Sequence, residues 1–312
     1  MNKTNHPDRV AIQGILGSFH HEACMIYFGN DQMIQTCLTF KELIKAVVKG
    51  EASHGLMAVE NSLAGSMLPN LSLIRESGLS IGGELYMRIT QNLMTLPGQS
   101  IWQLSEVHSH PLAIAQCEAF FEKYPHIRLV ETADTAQSAR EVAEKHLSWV
   151  GAIGAASAAN RYGLKIIHPG IETNKENYTR FLLLEKQPTG LDPAGKVKAS
   201  LAFVIPNKPG SLAGILAYLA KQGVDLTMIQ SLPLVGQRWA YIFHADMVFE
   251  NLSVAKNTIA DLEKIFDRLW LMGVFKVSDD WGSAQQPREA DHQNISVTPK
   301  TNPLQTANTL TQ

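Results

Sequence analysis

Cysteine is scarce in this chain. Three thiols, Cys24, Cys37 and Cys117, are scattered through 312 residues. That excludes a disulfide framework or a metal knuckle and fits buried thiols in a reducing compartment. Excess charge of one sign is also lacking. With 29 acidic and 27 basic residues the formal net charge is −2. Neither a nucleic-acid coat nor a polybasic membrane anchor would gain much from that balance, although a local positive pocket stays open. Long apolar runs are missing too. The longest charge-free windows, 89–105 and 146–160, are broken by Pro97 and Gly98 or are short and rich in Ala and Gly, so neither reads as a membrane span. Residues 1–9 are polar, without the apolar core of a signal peptide, and the cytoplasm is the expected location. No repeat of solenoid period is present.

What is present is an alternation of short apolar runs with helical patterns. Residues 10–14, 33–38 and 55–59 read as strands. Between them lie helices at 18–28, with Ser18 as N-cap and Gly29 as stop, and at 40–49, where Thr39 and Glu42 form a capping box. This rhythm predicts a parallel sheet covered by helices. It recurs with strands at 106–109, 128–131 and 149–153 and helices at 111–123, 135–145 and 155–162. The stretch 79–94 is placed to cross from one lobe to the other, and 178–185 to return as a late strand. Two such lobes leave a cleft, with ligands expected beyond the carboxyl ends of the strands. Pro188, Gly190, Pro193 and Gly195 mark a boundary. Beyond it, strands at 199–205, 226–233, 239–249 and 274–277 and helices at 210–222 and 254–271 give the order βαββαβ, a ferredoxin-like sandwich of the kind that pairs with a copy of itself. Residues 282–312 hold no aromatic and few aliphatic residues, and the reading there is disorder. The expected units are 8–187, 198–280 and the tail 282–312.

Four loops carry the polar residues of interest. Gly14 to Phe19 offers helix-start amides and the Ser18 hydroxyl, either as an anion site or as a tight turn with a serine cap. In the loop from Glu60 to Ser66, Asn61 and Ser62 are able to donate to a carboxylate. Ionised Glu60 is not, so it is either protonated or holds the loop. His108-Ser109-His110-Pro111 invites a metal reading, but no third ligand is suitably spaced, and a helix-entry turn is preferred. In the run from Asn174 to Phe181, an extended backbone puts Thr179 and Phe181 on one face and Arg180 on the other, a hydroxyl beside an aromatic wall.

The run Asn177-Tyr178-Thr179-Arg180-Phe181 resembles the T-R-F signature of prephenate dehydratases. Glu60-Asn61-Ser62 with Gly65, Ser109-His110-Pro111 with Gln116-Cys117, Asp134-Thr135-Ala136 and Tyr162-Gly163-Leu164 follow in the order and spacing of that family. The last 80 residues or so before the tail resemble an ACT module, the regulatory domain usually fused to these enzymes. Ile15 and Ser18 depart from the usual G-P-x-G-T, Thr173 stands where aspartate is usual, Gly210-Ser211-Leu212 replaces G-A-L, and Gln230-Ser231-Leu232-Pro233 replaces E-S-R-P.

The resemblance implies a two-lobed α/β dehydratase domain, like that of periplasmic binding proteins, followed by the ACT module. The implied reaction turns prephenate into phenylpyruvate with loss of water and carbon dioxide, without cofactor or metal. Thr179 is the implied hydrogen-bond donor to the departing hydroxide. Asn61, Ser62, Glu60 and Arg180 would stand in the catalytic site and Ser18, Phe181 and Asn177 would contact substrate. Arg180 is expected either as a counter-charge or as a brace to Glu60 or Glu176. Phenylalanine is the implied allosteric ligand, near Gly210, Ser211, Leu212, Gln230 and Ser231 between paired modules of a homodimer or homotetramer. Arogenate is the alternative substrate, and a small-molecule-sensing regulator with an inert first domain the alternative class. No all-helical block precedes Val10 and no dinucleotide loop appears, so neither a fused mutase nor a fused dehydrogenase is expected. Nucleic acid and membrane are not expected partners.

Overall fold

The structure is a computed structural model that describes residues 8–188, 195–234, 236–238 and 240–278; the tail read as disordered and part of the 186–198 boundary lie outside them. The first lobe is built from β1 (Arg9–Gln13), α1 (Phe19–Phe28), β2 (Met33–Cys37), α2 (Phe40–Lys49), β3 (His54–Asn61), β4 (Gly65–Ser66), α3 (Leu68–Ser77) and β5 (Ser80–Arg88). The second follows as β6 (Asn92–Thr95), β7 (Glu106–Ser109), α4 (Pro111–Gln116), α5 (Glu118–Phe121), β8 (Arg128–Glu131), α6 (Thr135–Glu144), β9 (Val150–Gly154), α7 (Ala156–Tyr162) and β10 (Lys165–His168). The chain then returns to the first sheet as β11 (Tyr178–Glu185). Strand order is β2-β1-β3-β11-β5, with β4 on β3, in one sheet and β10-β6-β9-β7-β8 in the other. The expected crossing stretch is therefore two strands, β5 in the first sheet and β6 in the second.

α1 and α2 start where the sequence places their caps, and α6 is capped in the same way. Ser18 Oγ accepts from the amide of His21, Thr39 Oγ1 from that of Glu42 and Asp134 Oδ1 from that of Gln137. The Glu42 carboxylate reaches back to the amide of Leu38, one residue short of a reciprocal capping box. The helix expected at 111–123 breaks at Cys117 into α4 and α5, and α3, β4 and β10 lack a strong enough pattern to be read in advance.

The third unit consists of β12 (Val197–Val204), α8 (Ser211–Lys221), β13 (Asp225–Pro233), β14 (Tyr241–Phe249), α9 (Leu252–Ile265) and β15 (Arg268–Lys276), in the sheet order β13-β14-β12-β15. This is the antiparallel order of a ferredoxin-like sandwich. The helix expected to reach 271 ends at Ile265, because the run from Leu269 pairs with β12 as a full strand. One face of this sheet packs on α8 and α9 through Leu201, Phe203, Ala245, Met247 and Phe249. The other face packs on the first lobe. Ala202, Ile242 and Met272 join the core formed by α2, α3, β5 and β11 of the first lobe.

His244 lies on that covered face, 0% exposed, with no hydrogen-bond partner for either ring nitrogen among the described residues. Burial, helped by Arg75 and opposed by Asp246, lowers its pKa from the ordinary 6.5 to about 4. Below pH 6.5 the unfolded chain takes up this proton and the native chain does not. Stability from this group is therefore complete above pH 6.5 and lost as pH falls toward 4, by up to about 3 kcal/mol. Urea unfolding at pH 7 and pH 4.5 should show the loss, and His244→Phe should flatten that part of the pH profile; an unchanged slope in the variant would remove His244 from the acid response.

Candidate active site

Strands β3 and β11 run antiparallel, with Thr179 opposite Asn61 and Arg180 opposite Glu60. Asn61 is 6% and Thr179 7% exposed. The Asn61 carbonyl oxygen accepts from the amides of Leu63 and Ala64 at 3.0 and 2.9 Å, which fixes the amide plane. Its Nδ2 then faces Thr179 Oγ1 at 3.0 Å, Asn177 Oδ1 at 2.8 Å and the Tyr178 carbonyl at 3.1 Å. Thr179 thus accepts from Asn61 and keeps its own proton to donate, with no acceptor side chain for it among the described residues. An amide that donates into a hydroxyl oxygen strengthens the outward O–H donor.

The network continues into the second lobe. Asn177, 0% exposed, donates through Nδ2 to Gln116 Oε1 at 3.1 Å, and Gln91 donates to the same oxygen at 3.1 Å. The backbone amide of Gln91 is held by Glu172 at 2.9 Å, and that of Thr173 by the Gln116 carbonyl at 2.8 Å. Asn177 is therefore an interior link between lobes rather than an exposed substrate contact. Gln91, and Gln116 as anything more than a motif letter, were missed by sequence reasoning; the adjacency of Gln116 to a motif cysteine was the available signal. Ser62 donates to the Glu176 carbonyl at 2.7 Å and accepts from the Tyr178 amide at 2.9 Å, so it ties the loop after β3 to the start of β11.

The loop before α1 is the tight turn with a serine cap, one of its two expected forms. The amides of Gly14, Gly17 and Ser18 are used internally by the Cys37 carbonyl, His21 Nδ1 and the Ile15 carbonyl. The amides leading up to the helix are thus used within the turn, and Ser18 Oγ caps the amide of His21. This loop touches the second lobe, where Ser157 Oγ donates to the Gly17 carbonyl and Tyr162 Oη to that of Leu16. A Cβ on Gly17 would meet the Cα of Ala158 at 3.0 Å. Phe181 is 1% exposed and packs with Val10, Ile12 and Ala23, its ring edge-on to His20 at 5.1 Å. It supports the site from behind and is not an exposed wall.

Arg180 points away from Thr179, as strand alternation requires, but neither expected partner is the one it meets. It is 3% exposed and pairs with Glu84 at 2.7 Å and with Asp246 of the third unit, not with Glu60 or Glu176. Glu60 sits at the strand end, opposite both Arg180 and Ser66. His110 caps α4 through Nδ1, and His108 pairs with Glu106 at 2.8 Å. Among the described residues no three His, Cys, Asp or Glu side chains form a metal-ligand group. Burial pushes Cys24 and Cys117 up to about 12 and Cys37 to about 11, which removes all three thiols as nucleophiles. A cavity of about 270 Å³ lies elsewhere, beside α5 and lined by Phe120, Lys123, His168 and Lys175; the Thr179–Asn61 pair is the better candidate because its polar groups converge.

In the third unit Gly210 has φ +86° and precedes α8, with Ser211 and Leu212 in its first turn. Gln230 and Ser231 face opposite ways. Gln230 turns toward the first lobe, where its Nε2 donates to Ser66 Oγ at 3.3 Å, and Ser231 is exposed. The two therefore do not form one pocket wall. No helix among the described residues is long and apolar enough to cross a membrane.

The chain matches the profile of the prephenate dehydratase family over residues 10–189. It is 32% identical over 240 residues to the bifunctional chorismate mutase/prephenate dehydratase of Aquifex aeolicus, covering 77% of this chain and 65% of that protein. With arogenate dehydratase/prephenate dehydratase 2 of Arabidopsis thaliana it shares 31% identity, with coverages of 86% and 73%. This chain thus spans about two thirds of the length of such curated relatives. Among solved structures, prephenate dehydratase in complex with L-Phe from Arthrobacter aurescens superposes with a TM-score of 0.79 at 26% identity, over 90% of this chain and 92% of that one. GqqA, described as a novel type of quorum-quenching acylase, gives 0.79 at 30%, over 87% and 98%. The family-profile match across both lobes and the structural match over 90% of the chain place this protein in the prephenate dehydratase family.

Proposed function

We propose that this chain converts prephenate to phenylpyruvate, with release of carbon dioxide and water, in the biosynthesis of phenylalanine. The observation that carries the reading is the Thr179 hydroxyl, fixed by Asn61 at 3.0 Å with its proton free to donate. The ring carboxylate leaves as carbon dioxide, its electron pair enters the ring, and the ring expels hydroxide, which takes up one proton to become water. The product is aromatic, so the barrier lies in the leaving group. A donor placed where negative charge develops lowers that barrier. Thr179 is too weak an acid to transfer its proton by pKa matching; it hydrogen-bonds the departing oxygen while solvent supplies the proton consumed. Ser18 and the loop after β3 are assigned to the substrate carboxylates, with Asn61, Ser62 and Asn177 holding that loop in place and Glu60 at its rim. No cofactor or metal enters this scheme.

The βαββαβ unit is read as an ACT module that binds phenylalanine near Gly210, Ser211, Leu212 and Ser231, pairs with a second copy and lowers dehydratase activity. A relative solved with L-Phe supports this reading. The enzyme is placed in the cytoplasm. The test is a spectrophotometric assay of phenylpyruvate from prephenate, with arogenate as parallel substrate and with phenylalanine added. Phenylpyruvate formation that phenylalanine reduces is expected; folded protein that leaves prephenate intact would overturn the reading.

A further inference from the structure

Thr179 and Arg180 are neighbours on β11 and point to opposite sides of the sheet. On one side lies the Asn61 pair. On the other, the third unit closes over Arg180. The guanidinium Nε donates to Glu84 Oε2 at 2.9 Å and Nη1 to Asp246 Oδ2, while Lys198 Nζ donates to Glu84 Oε1 at 2.6 Å. All four side chains are at most 5% exposed. The first lobe contributes one cation and one anion, Arg180 and Glu84, and the third unit contributes the other pair, Lys198 and Asp246.

A buried, balanced set of charges is a poor device for stability, since apolar side chains of similar volume do as well or better. It is a good device for fixing direction, because a guanidinium fork holds its acceptors in one plane. On the β5 side β11 runs in register from Tyr178 to Leu183, so it is toward β3 that direction needs fixing. The register between β11 and β3 is irregular between Arg180 and Phe181, so the ladder to β3 is interrupted immediately after the residue that follows Thr179. Resting on the dehydratase reading of this site, we propose that Asp246 is a positioning residue for the reaction: through Arg180 it sets the strand that aims the Thr179 hydroxyl. The third unit then completes the active site mechanically, without touching substrate. Its Gln230 reaches Ser66, which pairs with Glu60 beside Asn61, so the other half of the Thr179–Asn61 pair is held from the same sheet.

The test is a double-mutant cycle on the full chain. Asp246→Asn keeps shape and removes the charge. It should lower kcat about tenfold with KM within about twofold, and the same substitution made on Thr179→Ala should lower kcat no further, because its effect passes through that hydroxyl. A purely structural role would reduce both backgrounds equally. Arg180→Lys keeps a cation in the cluster but loses the fork. It should behave like Asp246→Asn in both backgrounds, and it decides the matter if Asp246→Asn does not fold. Folded Asp246→Asn or Arg180→Lys with wild-type kcat, or with a loss that persists in the Thr179→Ala background, would overturn the inference. A wild-type chain that forms no phenylpyruvate overturns the dehydratase reading and this inference together, whereas an active wild type beside an indifferent Asp246→Asn overturns this inference alone.

Discussion

Alanine at position 179 should lower kcat for prephenate by about 10² or more and leave KM within a few-fold. The hydroxyl is worth most when charge builds on the departing oxygen and little before then, so its removal is felt in turnover rather than in binding. The site should otherwise persist. Asn61 keeps its Leu63 and Ala64 anchors and still has the Asn177 and Tyr178 oxygens to donate to. Thr179→Ser should retain most of the activity, since the hydroxyl and its Asn61 donor remain. Thr179→Val, which keeps the branched shape, should be as poor as alanine. Steady-state kinetics on the three variants, with melting curves to verify folding, checks this. Near-normal turnover in Thr179→Val would remove the hydroxyl from the mechanism.

The part of this site that could be read from sequence is the part that depends on strand periodicity. Alternation alone places Thr179 and Phe181 on one face and Arg180 on the other, and the cores they join agree: Phe181 packs with α1, while Leu182 and Leu184, further along the Arg180 face, pack with α2, α3 and the third sheet. Periodicity carries no information about what waits on the far side. The residues that meet Arg180, Glu84 and Asp246, lie outside the polar loops that carry the motifs, so the loop residues Glu60 and Glu176 look like the better partners in sequence. Of the two readings of the first loop, the structure shows the tight turn with its serine cap. Its amides look open in sequence, but His21, one turn into α1, folds back to accept from Gly17. Phe181 looked like a pocket wall because an aromatic beside a hydroxyl invites that reading; in the fold it meets His20 and the first-lobe core instead. Cap residues, in contrast, act on amides two or three positions away, so Ser18 and Thr39 were legible without tertiary information.

Valine at Gly273 should destabilise the protein by about 3 kcal/mol, lowering Tm by roughly 6–12 °C, and should uncouple the third unit from the first lobe. Gly273 is on β15 where that strand crosses β5. A Cβ there would stand 2.2 Å from the carbonyl oxygen of Ile81 and 2.8 Å from its amide nitrogen. Both are backbone atoms of a strand already paired to β11, so no rotamer change makes room and the two sheets must separate. Separation would also pull Asp246 and Lys198 from Arg180 and Glu84, leaving buried charges without partners, which adds to the steric cost. Gly214 supplies the contrast. It lies within α8 with nothing within 4 Å of its Cβ position, so Gly214→Ala should raise stability by about 0.5–1 kcal/mol through helix propensity alone. Differential scanning calorimetry on the two variants separates the causes: Gly273→Val should split or broaden the transition and Gly214→Ala should shift it upward intact. A single unshifted transition for Gly273→Val would mean that β15 does not bear on β5 as closely as the backbone contacts require.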